Sequence, residues 1–237
     1  MSPRIQRAAG VKESAIPVDG SPEDERLSAL RRVMVEEQIR ARGISSERVL
    51  EAMRTVPRHL FVPPERIDFA YADHPIEIGE GQTISQPFMV AAMAAVLELR
   101  GTETVLEVGT GSGYSAAVLS LLAARVYTVE KYPMLAEGAR QRLDGLGYRN
   151  VFVEIGDGSA GFPSGAPFDA IAVAAAAPKV PAPLAEQLAE GGRLVVPVGE
   201  GENQELVLAT KTNGTISSRV VAYCRFVPLM GRYGFGG

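Results

Sequence analysis

With 237 residues, 46% of them hydrophobic and 22% charged, the chain is long enough for one large α/β domain, and its balance excludes wholesale disorder and fibrous repeats. Twenty-four Lys and Arg against 28 Asp and Glu give a net charge of −4, with no block of like charge long enough to track a phosphate backbone, so no nucleic-acid partner is expected. One cysteine, Cys224, rules out an internal disulfide and a cysteine-built zinc site; no apolar run approaches the ~20 residues of a bilayer span and residues 1–20 carry no export signal, so a soluble, cytoplasmic protein without a membrane partner is expected.

Residues 1–22 mix Pro3, Pro17 and Pro22 with Gly10, Gly20 and scattered charge. They keep no period and are expected to form a disordered tail ahead of a single domain over 23–237. From Glu23 the apolar residues Leu27, Leu30, Val33 and Met34 recur on one helical face, and Gly43 is placed to stop the helix. A short helix over 47–54, ended by Pro57, and a third opened by Pro64 complete a helical cap. The stretch 72–87, ADHPIEIGEGQTISQP, is rich in Gly, Pro and polar residues and reads as a loop. Cap and loop together make up 23–87. A helix over 88–99 follows, with Ser85 or Gln86 placed as its N-cap.

Over 88–237 the punctuation becomes regular. Short β-type runs at 104–108, 125–129, 150–155, 168–173 and 193–198 alternate with helical stretches at 112–123, 133–147 and 180–189. That alternation implies parallel strands joined by right-handed crossovers, with helices on both faces of one sheet. The end differs, because runs at 205–212 and 215–226 flank Asn213-Gly214, a strong hairpin signal. The predicted fold class is α/β, a Rossmann-like and mostly parallel sheet with a C-terminal antiparallel hairpin, preceded by the small helical cap.

The first strand of this region runs into Gly109-Thr110-Gly111-Ser112-Gly113 and then a helix. Glycines allow a sharp turn and close approach to a ligand, and the helix start offers free N–H groups. The spacing is one residue shorter than that of dinucleotide folds, and Glu107 precedes the first glycine by two residues. A carboxylate there repels a pyrophosphate but orients an ammonium group. Glu130 ends the second strand, where an acidic residue accepts from ribose hydroxyls, and Asp157-Gly158 follow the third, where a carboxylate accepts from an exocyclic amine. Adenosine joined to a cationic amino acid satisfies all three, and that compound is S-adenosylmethionine.

Several kinds of methyl transfer are disfavoured by absence. Ala174-Ala175-Ala176-Ala177-Pro178 stands where base-amino methyltransferases carry an Asn/Asp-Pro-Pro-aromatic turn, and Cys224 lies far from the place of a C5-attacking nucleophile. Metal-assisted transfer needs a carboxylate cluster after the fourth strand, and Asp169 is alone at its start. No metal is expected. An acceptor that is already nucleophilic remains, and a carboxylate qualifies without a general base.

The run Asp73-x-Pro75-x-x-Ile78-Gly79-x-Gly81-Gln82-Thr83-Ile84-Ser85-Gln86-Pro87, then Met89-Val90 and Leu106-Glu107-Val108-Gly109-Thr110-Gly111-Ser112-Gly113-Tyr114, resembles the protein-L-isoaspartate O-methyltransferase family. Gly156-Asp157-Gly158, Ala175-Ala176-Ala177-Pro178, Gly191-Gly192-Arg193-Leu194 and Val227-Pro228-Leu229 extend the likeness over roughly 24–235. The resemblance implies a class I methyltransferase sheet and methylation of the α-carboxylate of isoaspartyl residues in damaged peptides and proteins. The ester then closes to a succinimide and reopens partly as aspartate. It implies S-adenosylmethionine as cofactor, S-adenosylhomocysteine as product and Ser85 as the active-site serine. Thr83, Ile84, Ser85, Glu107, Gly109, Thr110, Gly111, Ser112, Glu130, Asp157 and Gly158 would line the cofactor pocket. Ala174 and Met230 depart from the family's pattern at positions where relatives carry hydroxyl residues. Ser85 keeps a second reading as a helix cap, and neither His59 nor His74 is assigned as a base. A monomer is expected. The alternatives are a relative redirected to Asp in a dedicated peptide or to a small carboxylic acid, and a non-catalytic cofactor-binding module.

Overall fold

The computed structural model describes residues 21–236; the expected disordered tail lies outside them, except for its last two residues. Those two belong to the first helix. Pro22 opens α1 (Pro22–Val33), and the Ser21 side chain caps it by accepting from the Asp24 N–H at 3.2 Å. A helix cap is worth about 1 kcal/mol, or roughly 2–4 °C of Tm in a domain of this size. Deletion of residues 1–20 is therefore expected to leave Tm unchanged, whereas deletion of 1–22 should lower it by that amount. Calorimetry on the two truncations checks this.

The predicted first helix continues beyond α1 as a π-helical stretch, Met34–Ile39, and a 3-10 turn, Arg40–Arg42. Gly43, in the left-handed region at φ 97°, ends it where expected. Helix α2 (Glu47–Thr55) buries Val49, Leu50, Ala52 and Met53. The third cap element is 3-10, Pro64–Phe69. The stretch read as a loop over 72–87 is not all loop. It holds β1 (Ile76–Gly79) paired antiparallel with β2 (Gln82–Ile84). Ile76 and Ile84 are the buried partners of this hairpin, and their apolar alternation was diluted by the glycines of its turn.

Helix α3 (Pro87–Val96) is followed by β3 (Thr104–Val108), α4 (Tyr114–Ser120), β4 (Arg125–Glu130), α5 (Pro133–Gly145), β5 (Val151–Ile155) and β6 (Phe168–Val173). Then come α6 (Ala182–Glu186), β7 (Leu188–Glu200), β8 (Asn203–Thr212) and β9 (Thr215–Cys224). Seven strands form one sheet in the order β5-β4-β3-β6-β7-β8-β9. The first five are parallel and the last two antiparallel, as the alternation and the Asn213-Gly214 turn predict. Strand β7 begins five residues before its predicted start, and α6 is correspondingly short. The ladder slips between Phe168 and Ala170, so the Gly191-Gly192 kink is absorbed within one strand.

Alternation along the strands divides the core. Val105, Val126 and Val153 face α2 to α5 and the cap, while Leu106, Val108 and Val129 pack with Phe168, Leu184 and Leu188 on the opposite face. The chain leaves β3 toward β4 and β5, and later returns to pair β6 on the other side of β3. That reversal opens a crevice at the carboxyl ends of β3 and β6, where sheets of this type bind ligands.

Candidate active site

The turn after β3 is tied down at both ends. Gly109 N–H donates to the Val129 carbonyl at 2.9 Å, and Ala174 N–H, after β6, donates to the Val108 carbonyl at 2.8 Å. Gly111 sits at φ 53°, and a Cβ there would stand 3.3 Å from Ile78 Cδ1 of the β1–β2 hairpin. Gly158 is closer still, since a Cβ would lie 2.6 Å from Val108 Cγ1. The two glycines therefore let backbone, rather than side chain, form the wall.

A pocket opens along this edge. Gly109, Thr110, Gly111, Ser112, Glu130 and Gly158 line it from the sheet side, and Thr83, Ile84 and Ser85 from the segment before α3. Nine of the eleven residues expected at the cofactor thus share one concavity. Glu107 and Asp157 stand behind it. The Glu107 carboxylate is fully buried and accepts from Thr128 Oγ1 at 2.6 Å. Burial pushes its carboxyl up to about 7, against the pull of the Ser115 and Thr128 hydroxyls. Asp157 caps the 3-10 turn Gly158–Ala160, accepting from Ser159 N and Oγ and from Arg232 N at 2.8 Å. Its carboxylate fastens the C-terminal segment to the sheet edge.

Glu130 is 5% exposed, and its two oxygens accept from Gly111 N at 2.8 Å and Tyr132 N at 3.0 Å. A carboxylate offers about four lone-pair sites, so acceptor capacity remains on both oxygens. Backbone walls at van der Waals reach and a buried acidic acceptor suit a nucleoside with ribose hydroxyls.

Ser85 is not the helix cap. Gln86 occupies the N-cap of α3, no side chain caps that end, and Ser85 is left facing two cavities. The second cavity, of about 1010 Å³, shares Thr83, Ser85, Ala174, Val227, Pro228 and Met230 with the first. Gln86 Nε2 donates to Asp73 Oδ2 at 2.7 Å, and Arg42, stacked 3.6 Å above the Phe88 ring, pairs with the same oxygen at 2.6 Å. These contacts fix the far wall. His59 hydrogen-bonds Tyr71 within the cap, and His74 is exposed beside Phe69. Cys224 is half-buried at the end of β9 and lines the larger cavity, where burial pushes its thiol up to about 11.

Sequence reasoning missed Lys131, Tyr132 and Thr128. The first two follow Glu130 around the pocket's rim. Thr128 is a buried hydroxyl within the central residues of β4, and its inward position in Val126-Tyr127-Thr128-Val129 was the available signal.

A family model for protein-L-isoaspartate(D-aspartate) O-methyltransferase (PCMT) matches residues 30–234. Protein-L-isoaspartate O-methyltransferase 2 of Geotalea uraniireducens (strain Rf4) is 57% identical over 212 residues, 89% of this chain and 98% of the relative. Protein-L-isoaspartate O-methyltransferase of Methanoculleus marisnigri is 53% identical, covering 87% of this chain and 94% of the relative. Among solved structures, a Plasmodium falciparum chain described as a protein-L-isoaspartate O-methyltransferase in complex with S-adenosyl-L-homocysteine superposes with TM-score 0.74 at 25% identity, covering 84% of this chain and 98% of that one. With its glycine turn, acidic strand ends and Ser85 segment, the chain belongs to the protein-L-isoaspartate (D-aspartate) O-methyltransferase family.

Proposed function

We propose that this chain transfers the methyl group of S-adenosylmethionine to the α-carboxylate of isoaspartyl residues, the step that starts repair of damaged peptides and proteins. The observation that carries this reading is the shared wall: Thr83 and Ser85 line the pocket beside the glycine turn and the larger cavity together. A cofactor in the first and a peptide in the second would meet at Ser85. S-adenosylmethionine supplies an electrophilic methyl carbon on a sulfonium. Glu130 holds the ribose hydroxyls, the turn 109–112 and Gly158 pack against the nucleoside, and Glu107 acts from behind the wall. Asp157 anchors Arg232 and so holds the segment that carries Pro228 and Met230 over both cavities.

The acceptor is ionised at neutral pH and needs no general base. Its requirements are position and partial desolvation, which the junction of the two cavities at Ser85 would supply to a bound peptide. Ser85 donates to one carboxylate oxygen and aims the other. We place the enzyme in the cytoplasm as a monomer, acting on isoaspartyl-containing chains. The test is transfer of labelled methyl from S-adenosylmethionine to isoaspartyl and aspartyl versions of one peptide. Within it, Ser85→Ala is expected to lower turnover roughly 10- to 100-fold, the loss of one hydrogen bond to a charged group, while calorimetry finds S-adenosylhomocysteine affinity nearly unchanged. Abolished cofactor binding in that variant would instead assign Ser85 to the pocket's integrity.

A further inference from the structure

Glu107 is absent from the pocket's lining, yet two short hydrogen bonds in series join it to a residue that is present. Thr128 Oγ1 donates to Glu107 Oε2 at 2.6 Å, and Thr110 Oγ1 lies 2.6 Å from Thr128 Oγ1. All three side chains are buried, and Thr110 faces the pocket. A hydroxyl has one proton. When Thr128 gives its proton to the carboxylate, it must accept from Thr110, and Thr110 is left with lone pairs alone for a ligand. We propose that Thr128 is a positioning residue: with Glu107 ionised, it makes Thr110 an obligate acceptor that receives the α-ammonium group of the cofactor.

The proposal rests on reading this pocket as the cofactor site. It identifies the ligand group by polarity, because a cationic N–H donor fits an acceptor-only hydroxyl. Protonation of Glu107 on Oε2, the oxygen that Thr128 Oγ1 reaches, reverses the chain. Glu107 then donates to Thr128, Thr128 to Thr110, and Thr110 turns a proton toward the ammonium. The reversal falls within the working range, since burial pushes the Glu107 carboxyl up to about 7. The groups around it are few. On β4 it faces Thr128, on β6 its ladder partner is Ala172, and α4 supplies Ser115. Helix α3 has no charged residue, and Glu130, at the end of β4, is the charged group that acts on Glu107 and raises it further.

Calorimetric titration of the whole chain with S-adenosylhomocysteine between pH 6 and 8 tests this. Affinity of the wild type should rise about tenfold across the range, the effect of reversing one hydrogen bond to a charged group. Binding near pH 7 should release a proton, read from the dependence of the heat on buffer ionisation enthalpy. Thr128→Val should bind about tenfold more weakly at pH 8 and lose most of the pH slope and proton release. Thr128→Ser should retain both. A folded Thr128→Val variant with wild-type affinity overturns the proposal. So does one with weakened binding and an unaltered slope, since Thr128 would then only fill space. Should the valine variant fail to fold, lack of proton release in the wild type, or loss of the slope in Thr128→Ser, overturns it. A wild-type chain that does not bind S-adenosylhomocysteine overturns the pocket assignment itself.

Discussion

An isoaspartyl peptide is expected to be methylated at least about 100-fold faster than its aspartyl twin, because misplacing a reacting atom by about 1 Å costs that much. In the isoaspartyl residue the main chain continues through the side-chain carbon and the α-carboxylate stays on Cα. In aspartate the free carboxylate stands one methylene further from the backbone. A groove that fixes both backbone and carboxylate therefore cannot serve both. The larger cavity has walls braced for such a groove. Its far wall is held by the Arg42–Asp73–Gln86 contacts, and its near wall by the Pro228 to Met230 segment, which the Asp157–Arg232 hydrogen bond secures. Ser85 stands where it opens into the cofactor pocket. Initial rates on the two peptides, at concentrations below KM, check the expectation. Equal rates would discard selective repair in favour of a general or dedicated carboxylate methyltransferase.

The sheet was readable because each strand is a short apolar run bounded by a turn signal. The five parallel strands match their predicted runs within a residue or two, except for β7. There Gly191-Gly192 reads as a break in sequence, but the ladder absorbs it as a local slip. The β1–β2 hairpin was unreadable for a related reason, since two of the nine residues over 76–84, Gly79 and Gly81, are glycines that serve the turn and break the period of two. The position of three acids at successive strand ends was legible in the sequence, but not what each one touches. Glu130 points into the pocket, Glu107 acts on it through Thr128, and Asp157 bonds to Ser159 and Arg232. Glu107 meets Thr128 21 positions away and Asp157 meets Arg232 75 positions away, separations that local spacing does not encode. Ser85 was named from the family's segment, and only the geometry separates its position at the cavities from the cap position taken by Gln86.

Glu130→Ala is expected to weaken S-adenosylhomocysteine binding by at least about 100-fold. The minimum comes from two hydrogen bonds to a charged acceptor at about 1.5 kcal/mol each, where each 1.4 kcal/mol is tenfold. The structure adds a second loss in the same direction. Both oxygens already hold backbone N–H groups, Gly111 on one side and Tyr132 on the other. Alanine leaves these donors without a partner beside a ligand that needs the turn in place. Glu130→Gln separates the contributions. Its amide oxygen keeps one acceptor, while its NH₂ faces a backbone N–H and repels it, so its loss should lie between wild type and alanine. Glu130 is 5% exposed at the edge of the sheet and packs no apolar core. The fold should survive in both variants, and circular dichroism alongside calorimetry reports on that. Unchanged affinity in a folded Glu130→Ala variant would move the ribose away from this carboxylate and leave it as the clamp on the glycine turn alone.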